Sequence, residues 1–237
     1  MSKTQISMDA TYFYNRTGFA LPFLNVPEFL IEIDKALFAK VKVTHGAREI
    51  GLAENVTQRL ADIFIIGQHL SSYTGHEKPW AGRIFANSFY SAYMNALKSF
   101  TDACSITTDF GCDLKLKFRN QDFGQENIWQ KLNERSPEVF QALLSFKGKC
   151  FEIKKERDII VHRNCDVFHM TGDGDPNEIG EDNFELRMNR NPNVNISHEL
   201  KKGNQDVLTT FDEKFREDTT FTLNFSKAVL TEFVNRL

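Results

Sequence analysis

Arg157 and His162, separated by Asp158-Ile159-Ile160-Val161, are the pair in this chain best suited to work on a phosphodiester. An arginine presents an always-charged fork of donors that matches phosphate oxygens and neutralises charge developing at an attacked phosphorus. A histidine, with an unperturbed pKa of about 6.5, can take a proton from a ribose 2′-hydroxyl or give one to a leaving oxygen without a metal. Asp158 stands four residues before His162, one helical turn away, where its carboxylate can orient the imidazole. Lys154, Arg163 and Asn164 flank the pair and are the expected RNA contacts; with Lys147, Lys149 and Lys155 they form the most basic neighbourhood of an otherwise acidic chain. On a regular helix five residues advance about 500°, so Arg157 and His162 diverge by roughly 140°. Gripping one small group with both requires either a break in the helix or the same stretch of a second subunit across a two-fold axis.

A second register overlaps the first. Arg163, Asn164 and His169 repeat the pattern of an arginine, a polar neighbour and a later histidine. The first register is preferred because its apolar Ile159-Ile160-Val161 run directly precedes the histidine. His162, Cys165 and His169 also fall at i, i+3 and i+7, a spacing that places nitrogen and sulfur ligands along one helical face, but no fourth ligand can be assigned and no metal is expected. Gly172-Asp173-Gly174-Asp175 lacks the later bidentate glutamate of a calcium loop and reads as an acidic turn. Neither a phosphate-binding glycine loop, nor a nucleophile elbow, nor a His-Glu-x-x-His sequence occurs, which removes support for the hydrolases built on them, and no cofactor is expected.

The elements that must position these residues read as helices. Pro27 opens an apolar stripe through Leu30, Ile33, Leu37 and Val41, predicting a helix over 27–43, and a second stripe predicts one over 47–71. A third face, formed by Ala81, Ile84, Phe85, Phe89, Ala92, Ala96, Leu97 and Phe100 up to Thr101, predicts a buried bundle helix. Leu114-Lys115-Leu116-Lys117-Phe118 alternates like a short strand or loop. A short helix is expected over 126–134, and then Ser136-Pro137-Glu138 supplies a cap residue, a first-turn proline and an acid for the positive helix end. From there one long helix is expected to run through the Arg157–His162 stretch. Met170 to Pro176 break the pattern, 184–198 alternate around Asn189-Arg190-Asn191-Pro192-Asn193 like a β-hairpin, 206–220 are ambiguous, and 226–237 look helical. The division that follows is an N-terminal arm over 1–26, a helical bundle over 27–170, and a C-terminal region over 171–237 holding the hairpin and a helix that packs back on the bundle.

Composition agrees with a packed interior. The 237 residues are 41% hydrophobic and 26% charged, and twenty-two phenylalanines imply a core rich in rings. A net charge of −3 argues against coating nucleic acid by bulk electrostatics and leaves room for a local basic patch. No apolar run is long enough for a bilayer, so no membrane partner and a cytoplasmic location are expected. Cys104, Cys112, Cys150 and Cys165 are widely spaced and are expected as free thiols.

Arg157-Asp158-Ile159-Ile160-Val161-His162, near the end of a long helix in a helical core, resembles the R-x4–6-H motif of the HEPN superfamily, the higher eukaryotes and prokaryotes nucleotide-binding domains. The resemblance covers about residues 27–170 and the closing helix. It implies a mainly α, HEPN-like bundle, commonly homodimeric, acting as a metal-independent endoribonuclease in toxin–antitoxin, phage-defence or RNA-processing roles. Arg157 and His162 would be catalytic and Asp158 supporting, with RNA as substrate and an antitoxin or regulatory protein as a further partner. Members that have lost catalysis serve as binding or regulatory proteins, which is the alternative expectation.

Overall fold

The computed structural model describes residues 28–40, 47–71, 79–163, 167–171, 185–189 and 208–237. The chain is mainly α. The helices are α1 (Glu28–Lys40), α2 (Ala47–Ser71), α3 (Pro79–Gly111), α4 (Glu126–Arg135), α5 (Pro137–Leu143), α6 (Lys147–Arg163) and α7 (Phe211–Arg236). The strands are β1 (Phe168–Thr171), β2 (Glu185–Asn189) and β3 (Leu208–Thr209).

Helix α3 is the axis of the bundle, packing against α2, α6, α7 and β1. Ala86, Tyr90, Tyr93, Met94, Leu97, Phe100 and Cys104 keep the spacing of a helix buried along one broad face, and all are sealed from solvent. The expected end near Thr101 is wrong, because α3 runs ten residues further, to Gly111. Thr107 and Thr108 disfavour helix in isolation, yet here each hydroxyl donates to the carbonyl four residues back, Ala103 at 2.9 Å and Cys104 at 2.8 Å. Burial of the segment overrides its weak propensity.

Helix α7 runs unbroken where residues 206–220 gave no clear pattern. Its inward positions, Phe211, Asp218, Phe221, Phe225, Val229, Leu230 and Phe233, form a continuous stripe, with Lys214 and Asp218 turned inward among the rings. Close approach to α2 depends on Gly67, where a Cβ would overlap the Phe215 ring. Phe225 lies against Phe100, Phe123, Phe146 and Phe221 with centroids 5.1–6.2 Å apart, the ring-filled core that composition implied.

The single long helix expected after Pro137 is two helices, α5 and α6, joined by a 3-10 turn at Leu144–Phe146. Ser136 does precede the first-turn proline, but its side chain makes no capping hydrogen bond. Residues 114–118 are not a strand. They form an irregular segment entered through Asp113 and Lys115 in the left-handed region, at φ 46° and 58°, and continued by a 3-10 turn at Phe118–Asn120.

The strands make one antiparallel sheet in the order β1-β2-β3. Phe168 pairs with Met188 and Thr171 with Glu185, while β3 pairs with Met188 and Asn189. The β element expected within 184–198 thus starts where the alternation placed it, but its described partners come from 168–171 and 208–209. The hairpin's second arm, the N-terminal arm 1–26 and the turn after Thr171 lie outside the described residues. The Asn87 side chain on α3 ties the sheet to the bundle, its oxygen accepting the Val167 N–H at 2.7 Å and the Phe168 N–H at 3.1 Å. Among the described residues no helix is long and apolar enough to cross a membrane.

Candidate functional site

The motif helix α6 lies in the groove beside α3, fixed there by Cys150, Ile153, Ile159 and Ile160 on its buried face. That burial sets the direction of its polar residues. Arg157 reaches to α3, where its Nε donates to Asn95 Oδ1 at 3.1 Å, while Nη1 donates to Asp158 Oδ1 at 3.1 Å. The arginine side chain remains 28% exposed, so it is oriented without being sealed.

Asp158 is held by its neighbours on the same helix. Lys154 Nζ donates to Oδ2 at 2.8 Å, one turn earlier, and Arg157 takes Oδ1. Partial burial pushes the carboxyl upward, but hydrogen bonds from Lys154 and Arg157 outweigh it and hold Asp158 below its ordinary range. Both carboxylate oxygens therefore serve cations on the N-terminal side, rather than being directed by a described contact to His162.

Helix α6 is continuous from Lys147 to Arg163, with no break between Arg157 and His162. The helix break that could bring the two together is absent, so positions 157 and 162 stand roughly 140° apart around one helix. His162 and Arg163 occupy the last turn of α6, and their side chains, like all of Asn164, lie outside the described residues. His169 belongs to β1, paired in register with Arg187. The second register therefore spans a helix end and a strand, and the i, i+3, i+7 spacing of His162, Cys165 and His169 does not lie on one helix. Among the described residues no group of histidines, cysteines and acids could hold a metal ion.

The basic neighbourhood is less positive in space than in sequence. Lys147 pairs with Glu126 at 2.7 Å, Lys149 with Glu152 at 2.8 Å and Asp218 at 3.1 Å, and Lys154 with Asp158. Lys155 stays exposed. Beside Arg157 on the seam, Lys98 bridges Asp102 and Asp122. Burial raises the Asp102 carboxyl, with Lys98 opposing.

Behind the motif lies a buried polar network. Tyr90 on α3 donates to Glu156 Oε1, and Tyr93 donates to Asp218 Oδ2 at 3.2 Å. Lys214 on α7 bridges Glu156 at 2.9 Å and Asp218 at 3.4 Å. The Lys149 ammonium sits 3.1 Å from Asp218 Oδ1 but off the line of a hydrogen bond, so that contact is electrostatic. Two acids and two lysines balance in charge, and Asp218 is fully buried. Burial, the Glu156 carboxylate and the Asp218 carboxylate all push the Tyr90 hydroxyl well above its ordinary range, and burial and Asp218 do the same to Tyr93. Lys214 is raised despite its burial, because Asp218 and Glu156 favour its charged form. Glu156 immediately precedes Arg157, so this network helps fix the rotation of α6. Sequence reading missed it. The one available signal was an aspartate on the phenylalanine stripe of α7, since a charge on a buried face needs a partner.

Cys104, Cys112 and Cys150 are free thiols, as expected, and burial raises Cys104 and Cys150 far above the reactive range. No protein-family model, curated protein or solved structure matches this chain.

Proposed function

We propose that this chain is a metal-independent endoribonuclease of HEPN type. The observation that carries the reading is Arg157, oriented at the α3–α6 seam by Asn95 and Asp158 with its side chain partly exposed, on the same unbroken helix as His162. In the proposed reaction His162 removes the ribose 2′-hydroxyl proton, the 2′-oxygen bonds to phosphorus, and the bond to the 5′-oxygen breaks as that oxygen takes up a proton. Arg157 neutralises the charge that develops on the phosphoryl oxygens. Asp158 acts as a positioning residue through Arg157. Because positions 157 and 162 diverge around one helix, the site is completed by a second copy, each supplying one half to a shared phosphate.

Cleavage of single-stranded RNA in EDTA by wild type, Arg157→Ala and His162→Ala tests this. Each substitution is expected to lower the rate about a hundredfold or more. Mixing the two inactive variants should restore part of the activity through mixed dimers. A wild type without activity, or variants as active as wild type, sinks the nuclease reading, and a strictly monomeric active species sinks the shared site.

The second reading is a non-catalytic HEPN-like RNA-binding or regulatory module. It is favoured by the engagement of Asp158 with Lys154 and Arg157 and by the pairing of most α6 cations.

A further inference from the structure

The segment between α3 and α4 carries the most exposed large hydrophobic side chain among the described residues, Phe118, at 86% exposure. A solitary exposed phenylalanine is ordinary. Phe118 is not solitary in that sense, because Lys117 and Arg119 flank it and Lys115 lies three residues before it, all exposed. Lys115 pairs with Asp113 at 3.2 Å, with both side chains about three-quarters exposed. Lys117 and Arg119 have no ion-pair partner among the described residues.

The loop is also built to hold its shape. The buried Asp109 carboxylate accepts the Leu116 N–H at 3.1 Å and the Gln121 side-chain amide at 2.5 Å. Asn120 N–H bonds Lys117 carbonyl at 2.7 Å, and the Gln125 side chain reaches the Arg119 carbonyl at 3.3 Å. Leu114 and Phe123 anchor the two ends in the core. Asp113 and Lys115 adopt positive φ, which persists where surrounding contacts over-determine the backbone. With both anchors buried and its main chain tied down, the tip presents Phe118 outward at little ordering cost on binding.

The loop leads to the motif. Asp122 takes Lys98 at 3.2 Å, and Gly124 lies so close to Lys154 that a Cβ there would come within 2.6 Å of the lysine Cβ. Gly124, six positions after Phe118, therefore touches the turn that carries Lys154, Arg157 and Asp158, a span of at most about 22 Å along the chain.

We propose that Phe118 is a base-stacking platform for single-stranded RNA, with Lys117 and Arg119 gripping the adjacent phosphates and the strand directed toward Arg157. An aromatic face between unpaired cations matches a chain whose bases are apolar-faced and whose backbone is anionic. This inference rests on the RNA reading of the α6 site and names its substrate form as unpaired strand.

Fluorescence anisotropy of the full chain tests it, using a fluorescein-labelled, fully 2′-O-methylated single strand of about twelve nucleotides, which lacks the attacking hydroxyl. Phe118→Ala is expected to weaken binding about tenfold, and Phe118→Trp to retain it. Lys117→Ala combined with Arg119→Ala should lower the slope of log affinity against log salt by about 1.4. Equal affinity for wild type and Phe118→Ala overturns the proposal. So does binding to phosphatidylserine vesicles with none to RNA, which would make the loop a membrane contact. Because the probe cannot be cleaved, Phe118-dependent binding with no nuclease activity would remove the nuclease reading alone, and cleavage with no Phe118 dependence would remove this inference alone.

Discussion

Helix α6 and the loop over 113–121 both carry an excess of lysine and arginine over acid, and the structure treats that charge differently. On α6, Lys147, Lys149, Lys154 and Arg157 each face an acid, on the same helix, on α4 or on α7. On the loop, Lys115 meets Asp113 in the open, and Lys117 and Arg119 are exposed with no ion-pair partner among the described residues. The difference follows from burial. A helix packed on two neighbours brings its cations into partly desolvated seams, where each one needs a counter-charge or a hydrogen-bond acceptor. A loop tip keeps its cations hydrated, so nothing selects partners for them. Orientation is thus found on α6 and available charge on the loop, and RNA binding as proposed needs both.

The comparison is broken most severely at the buried end of α6. Asp218→Ala leaves Lys214 and Lys149 without their shared, fully buried carboxylate, with only Glu156 and Glu152 left to them, and a loss of about 3 kcal/mol is expected in urea unfolding. A loss below about 1 kcal/mol would mean that water reaches the network.

Alkaline titration comes next. In the folded state Tyr90, Tyr93 and Lys214 hold their protons more tightly than usual, with Lys149 raised as well by Asp218 and Glu152 against the opposing effect of burial. Each folded-state value is raised, so the stability these groups contribute is intact below their unfolded values near 10 and is lost as pH rises above them. Stability is expected to fall above about pH 10 by roughly 1.4 kcal/mol per pH unit for each such group. Tyr90→Phe should flatten that slope; an unchanged slope would contradict the burial of the hydroxyl.

Asn95→Ala should cost about 1 kcal/mol in stability by removing the acceptor for Arg157 Nε. If Arg157 acts on RNA from this anchored pose, cleavage falls in the same variant while the melting temperature moves by a few degrees at most. Activity at the wild-type level would mean that Asn95 does not position the arginine.

The smallest effect is expected at the loop. Phe118→Ala should change stability by less than about 0.5 kcal/mol, because its ring is exposed. A larger loss would show that the ring packs in solution, which would also argue against a stacking platform.

The sequence by itself determined the helical class, the second helix to its ends, and the buried stripes of α1 and the second half of α7, because apolar spacing of three and four is a local property of the chain. On α3 it placed Ile84, Phe85 and Ala92 on the buried face, where they are exposed and Ala86, Tyr90, Tyr93 and Met94 are buried instead. It also located the Arg157–His162 stretch on a helix and set their divergence, since 100° per residue follows from helix geometry alone. It did not determine how far α3 runs, because Thr107 and Thr108 become helical through burial. It did not reveal the first half of α7, where Lys214 and Asp218 interrupt an apolar pattern and are tolerated only as partners of Glu156, Lys149, Tyr90 and Tyr93. Leu114 to Phe118 alternated like a strand, yet Asp109 captures Leu116 N–H and Gln121, and the backbone turns instead. Asn95, sixty-two residues before Arg157, came to the site by the same route. Local spacing fixes which face of an element is apolar; contacts between distant residues fix which polar groups are paired, and that pairing decides where charge remains free to meet a ligand.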